Sequence, residues 1–224
     1  MAIQGQGFSG TVWEVSGTTH RALRVEQRPL EYGTLGYYRI NQNSGVITAA
    51  TGAGELYQFR WADATRLAAI TKVVFSAGAN AAATAAGLQA FELVVARSFT
   101  VAGTGGTAAT ITGNNMKLRT NMGTTLLGES RIASTTTLGA GTKTLDTQGI
   151  GGVFIGIGSG AITTSEALDL VDPPYPLLSS DGDGQHPLIL AANEGFVIRM
   201  INTMPLSMTW GFTVSVAWAE LVSY

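Results

Sequence analysis

Thr209-Trp210-Gly211-Phe212-Thr213-Val214-Ser215-Val216-Ala217-Trp218 decides the fold. Trp210, Phe212, Val214, Val216 and Trp218 share one face, while Thr213 and Ser215 take the other. Side chains on a strand alternate between faces, so this strict period of two describes a strand lying on an apolar core. Working outward, the same texture recurs. Leu35-Gly36-Tyr37-Tyr38-Arg39-Ile40 and Leu56-Tyr57-Gln58-Phe59-Arg60-Trp61 are aromatic-rich runs bordered by Gly or Asn. Thr11 to Val15, Val73 to Phe75, Phe91 to Phe99, Val153 to Ile157 and Phe196 to Ile201 read as further strands.

Between the runs lie turn-forming segments such as Gly103-Thr104-Gly105-Gly106-Thr107 and Thr120-Asn121-Met122-Gly123-Thr124-Thr125. Glycine reaches positive φ without steric cost and asparagine tolerates it. Short strands at this spacing predict an all-β, antiparallel β-sandwich or barrel. Helix is scarce. The best candidates are Asp63 to Ile70, where the aspartate would cap an Ala/Leu-rich turn, and Ala77 to Leu88. Gly78, Gly87 and the lack of amphipathic spacing make the second mainly a flexible loop. Residues 1–50 are expected to form either an extended N-terminal arm or the first strands, and residues 51–224 the sandwich domain. That opening region holds Arg21, Arg24 and Arg28 among the aromatics Trp13, Tyr32, Tyr37 and Tyr38.

Charged residues make up only 12% of the 224-residue chain and apolar residues 45%. The charged share is about half that of an ordinary soluble domain. A surface so poor in charge suits burial between subunits, because interface cores are depleted in charged residues. The formal net charge of −2 offers no general attraction to nucleic acid. No apolar run is long enough to span a bilayer, and the first residues lack the pattern of a signal peptide. The chain has no cysteine, which excludes disulfide, zinc-thiolate and thiol chemistry. Acids dominate from Asp146 through Glu194, with no Lys or Arg between Lys143 and Arg199, whereas the opening region is basic. Surfaces of opposite sign can steer docking or self-assembly.

Catalytic patterns fail one by one. His20 and His186 are the only histidines. Asp181 and Asp183 resemble the start of a calcium loop, but the later ligands, including the terminal glutamate, are missing. In Gly156-Ile157-Gly158-Ser159-Gly160 the serine is misplaced by one for a nucleophile elbow. Gly103-Thr104-Gly105-Gly106 lacks the lysine and helix of a phosphate loop. The expectation is no enzyme, no catalytic residue, no metal and no cofactor. Tyr37, Tyr38, Tyr57 and Trp61 offer a sugar-stacking platform or, as strand aromatics more often do, part of the core.

Four stretches carry a resemblance: Phe91 to Thr100, Thr110 to Thr120, His186 to Arg199 and Trp210 to Glu220. In texture they resemble tailed-phage virion structural proteins, in the style of jelly-roll capsid decoration (cement) proteins, over roughly residues 65–224. No single diagnostic motif carries the likeness, so no functional residue transfers with it. The resemblance implies a jelly-roll subunit, a homotrimer, on the capsid surface of a bacteriophage virion, made in the host cytoplasm. Its partners would be itself and a major capsid protein, with no nucleic acid and no membrane. Arg21, Arg24 and Arg28 are the expected partner contacts. Other virion positions (head-fibre base, tail, baseplate), a carbohydrate-binding receptor module and a polysaccharide-acting enzyme stand as alternatives.

Overall fold

The computed structural model describes residues 35–48, 52–79, 86–157, 168–180, 186–204 and 209–223. In chain order their strands are Gly36–Asn43 (β1), Ile47–Thr48 (β2), Gly54–Trp61 (β3), Leu67–Ala79 (β4) and Gly87–Val101 (β5). There follow Thr107–Ala108 (β6), Leu127–Ile132 (β7), Thr142–Leu145 (β8), Gly151–Ile157 (β9) and Leu168–Ser179 (β10). Leu188–Leu190 (β11), Glu194–Met200 (β12) and Thr209–Leu221 (β13) complete the set. Among the described residues there is no helix.

The strands build two antiparallel sheets packed face to face. One runs β1-β13-β4-β10, with β11 also pairing β4 and β2 pairing β13; the other runs β6-β7-β3-β12-β5-β8, with β9 also on β5. The decisive strand, β13, lies at the centre of the first sheet. It pairs β1 through Tyr38↔Trp218 and Ile40↔Val216, and β4 through Val214↔Phe75 and Phe212↔Ala77. Its predicted inner face, Trp210, Phe212, Val214, Val216 and Trp218, is buried.

Aromatic contacts join the sheets. Trp218 meets Phe59 edge-on at 5.3 Å, Phe91 lies 5.8 Å from Trp210, and Phe75 lies 4.8 Å from Phe91. Each such pair adds about 0.5–1.5 kcal/mol to what its buried area provides. Tyr38, Tyr57 and Trp61 are buried in this core, and Tyr37 is half-buried with its hydroxyl 2.9 Å from that of Thr71. Three of the four candidate stacking aromatics are therefore core residues.

Two expectations are corrected. Asp63 does organise a turn, its Oδ1 accepting from the backbone N–H groups of Thr65 and Arg66 at 2.8 Å each. These bonds hold its carboxyl below the usual value. No helix follows. Leu67 to Ile70 opens β4, where Ala68, Ala69 and Ile70 pair β11 and the end of β13. Ladder bonds on both sides outweigh the modest helix propensity of Ala and Leu. In the Ala77–Leu88 stretch, Ala77 to Ala79 complete β4 and Gly87-Leu88 open β5; residues 80–85 lie outside the described residues.

Residues 36–48 belong to the same sheet as β13, through β1 and β2. Residues 1–34, with Arg21, Arg24, Arg28, His20 and the Thr11–Val15 run, lie outside the described residues, as do Asp181 and Asp183.

Candidate assembly surface

The outer face of the seven-stranded sheet, turned away from the core, carries the features that bear on function. Its rows follow from register. Phe59, Phe196 and Val95 sit side by side on β3, β12 and β5, and Phe59 reaches Trp218 of the opposite sheet, so this row faces inward. One residue further on, Gln58, Val197 and Val94 face outward. All three are nonetheless buried.

The chain's own loops supply that cover. The Gln58 amide oxygen accepts from the Gly103 backbone N–H at 2.8 Å, and its Nε2 donates to the Gly139 carbonyl at 2.9 Å. Gly103 and Gly139 lie so close that a Cβ on Gly103 would stand 1.8 Å from the Gly139 oxygen, which only glycine avoids. Glu55 joins Gln58 on this face because the ladder with β12 slips beside Leu56: Tyr57 pairs Ile198, yet Glu55 pairs Arg199. The bulge turns Leu56 and Tyr57 both into the core and brings Glu55 outward, where Gln58 Nε2 donates to its Oε2 at 2.6 Å. Lys143 of β8 completes the cluster. Its side chain is only 2% exposed, with Nζ 2.8 Å from Glu55 Oε2 and 4.7 Å from the centre of the Phe99 ring. Nζ also donates to the Ala140 carbonyl.

Among the described residues nothing covers the other end of the same face. Beyond Val197 and Val94 the next outward rung is Arg199–Glu92–Gly152, where the guanidinium and carboxylate pair. The rung after that holds Phe154 on β9 opposite Ala90 on β5, and the Ile201 N–H bonds the Ala90 carbonyl. Leu88 opposite Gly156 forms the last rung. Phe154 is 63% exposed, Leu88 59% and Ile201 42%. Ile150, whose N–H bonds the Leu93 carbonyl, adds a further exposed apolar side chain beside β9. Among the described residues no strand pairs the far edge of β9.

Elsewhere Arg97 sits in a local charge network. Arg97 bonds Glu194 at 2.6 Å and Asp146 at 3.3 Å, and these carboxylates push its pKa up. Among the described residues buried Glu220 meets neutral donors alone: Thr125 Oγ1 at 2.5 Å, the Leu126 N–H at 3.0 Å and Trp218 Nε1 at 3.3 Å. Desolvation raises its pKa despite those bonds. Tyr38, stacked on Trp218, is pushed up to about 12 by burial and by the nearby Glu220. No group of three or more His, Cys, Asp or Glu that would hold a metal occurs among the described residues.

Sequence reasoning found the β9 strand but not its role. The signal was present: in Val153-Phe154-Ile155 every residue is apolar, so both faces of that strand are apolar. The Lys143, Glu55 and Gln58 cluster carried no sequence signal, since Lys143 is far from the other two and Glu55 and Gln58, three residues apart, share a face only through a bulge. No family model matches this chain, and no curated protein is similar enough to lend it a function.

Proposed function

We propose that this chain is a non-catalytic structural subunit that binds copies of itself and, in that assembly, decorates the capsid of a tailed phage. One observation carries the assembly reading: at one end of the outer face Phe154, Leu88 and Ile201 stand exposed beside a strand edge that no described strand pairs. Burying a phenylalanine side chain fully is worth about 1.5–3 kcal/mol, so leaving one this exposed is a cost that contact with a neighbour removes. The occupant is a second copy of the chain. Glu92 and Arg199 neutralise one another beside the patch, so two like surfaces meet without like-charge repulsion. A stable contact covers roughly 800 Å² per partner, so these side chains form the centre of the contact and Gly/Thr-rich surface its rim.

The order of the long strands supports the jelly-roll part of the reading. Counting only β1, β3, β4, β5, β9, β10, β12 and β13, the sheets read first-eighth-third-sixth and second-seventh-fourth-fifth. Two Greek keys wound together give that order. The capsid itself enters from the resemblance alone. Light scattering on the purified full chain, with and without purified empty phage shells, tests the proposal. A multimer that binds the shells and raises their heat resistance supports it. A monomer at every concentration that ignores shells overturns it, and retention of that monomer on a sugar matrix favours the receptor-binding alternative.

A further inference from the structure

We propose that Lys143 and Gln58 are the two halves of a self-forming isopeptide cross-link, with Glu55 as its proton carrier. The cluster that covers the outer face contains each component such a reaction needs. The nucleophile is Lys143 Nζ, whose stem is sealed from water and whose nitrogen lies beside the Phe99 ring. The acceptor is the Gln58 side-chain amide, 1% exposed. Both nitrogens lie within hydrogen-bond distance of the same Glu55 oxygen, Nζ at 2.8 Å and Nε2 at 2.6 Å. The Gly103 N–H, 2.8 Å from Gln58 Oε1, polarises the carbonyl and stands where negative charge develops during attack. Such fixed donors in a water-excluded site, with the reactants held together, replace an enzyme.

The step balances without a co-reactant. The Lys143 ammonium passes one proton to Glu55, and the neutral amine attacks Gln58 Cδ, forming the Nζ–Cδ bond. The oxygen takes up the negative charge against the Gly103 N–H. Glu55 delivers its proton to Nε2, the Cδ–Nε2 bond breaks, and the nitrogen leaves as ammonia. Glu55 takes the surplus proton from Nζ, gives it to the ammonia, and ammonium departs. The chain loses one ammonia and the positive charge of one lysine. β8 is thereby tied covalently to β3, locking loop cover onto the sheet.

Mass spectrometry of the purified, folded chain tests this directly. The expected result is a mass deficit of one ammonia, about 17 Da, in a branched peptide joining the segments of Gln58 and Lys143, with trypsin unable to cut after Lys143. Lys143→Arg and Glu55→Gln should each remove the deficit. Their folding is checked by circular dichroism, and Glu55→Gln keeps an acceptor in place should Lys143→Arg fail to fold. Two separate unmodified peptides from aged, folded protein overturn the proposal. A deficit of one water, about 18 Da, also overturns it, because that product joins Lys143 to Glu55.

Discussion

One sheet face behaves in two ways along its length. At the Gln58 end the outward row is covered by the chain's own loops, and Gln58, Glu55 and Lys143 are all partnered: amide to backbone, amide to carboxylate, carboxylate to lysine. At the Phe154 end the outward row is apolar, exposed and uncovered among the described residues. The covered end spends a buried ion pair and several hydrogen bonds on attaching loops that carry little apolar surface. The bare end has the apolar surface and lacks the loops. The lesson is that exposure here follows from where the chain places its own cover, and that its loops anchor on the polar end of the face rather than on the apolar one.

The contrast can be broken most forcefully at the covered end. Relative to parent protein that still holds the Lys143 ammonium, Lys143→Met leaves the Glu55 carboxylate buried without its cation, which should destabilise the fold by about 3–5 kcal/mol. Urea denaturation of the variant checks this, and an unchanged midpoint would mean that the loops contribute no stability to the face. At the bare end Phe154→Asp should do the opposite. It should leave monomer stability within about 0.5 kcal/mol and weaken self-association by roughly tenfold or more. Sedimentation read across a concentration series measures that shift.

A smaller effect compares the two buried carboxylates, Glu55 with its lysine and Glu220 with neutral donors. Folding raises the Glu220 pKa above its ordinary value of 4.5, so the folded state holds this proton more tightly than the unfolded one. Its contribution to stability is full below that ordinary value and is lost as pH rises through the raised one. Glu220→Gln keeps an oxygen for Thr125, Leu126 and Trp218 and removes the titration. The variant's melting temperature should therefore gain on the parent as pH rises above the ordinary value of 4.5, and parallel curves would refute the assignment.

How much of this was legible follows from the physics of each element. β13, β3, β5 and β12 carry alternating or aromatic runs that only a strand explains, and the sandwich followed from them. β10 escaped notice because Pro173, Pro174 and Pro176 break its pattern and its ladder to β4 slips three times. Proline donates no ladder bond, so it is tolerated there because β10 is an edge strand. The start of β4 read as helix because Ala and Leu prefer helix in isolation, and nothing local announces β11 and β13 on either side. The candidate surface was half legible: Phe154 was visible as strand, but its outward direction depends on register with β5. Burial of Lys143 depends on a bulge that no local pattern announces, since it arises from the mismatch between β3 and β12.

The pairing of β1 with β13 joins Gly36 to Glu220, almost the full span of the described chain. β13 also separates β1 from β4, so the six-stranded sheet has no centre until that last strand arrives. Contacts this distant in sequence close slowly, which puts folding in the range of milliseconds to seconds. A growing chain must hold β1 and β2 without their ladder partner until synthesis has reached β13. A product cut short before β13 therefore leaves β1 without its ladder partner and β4 unpaired on that side.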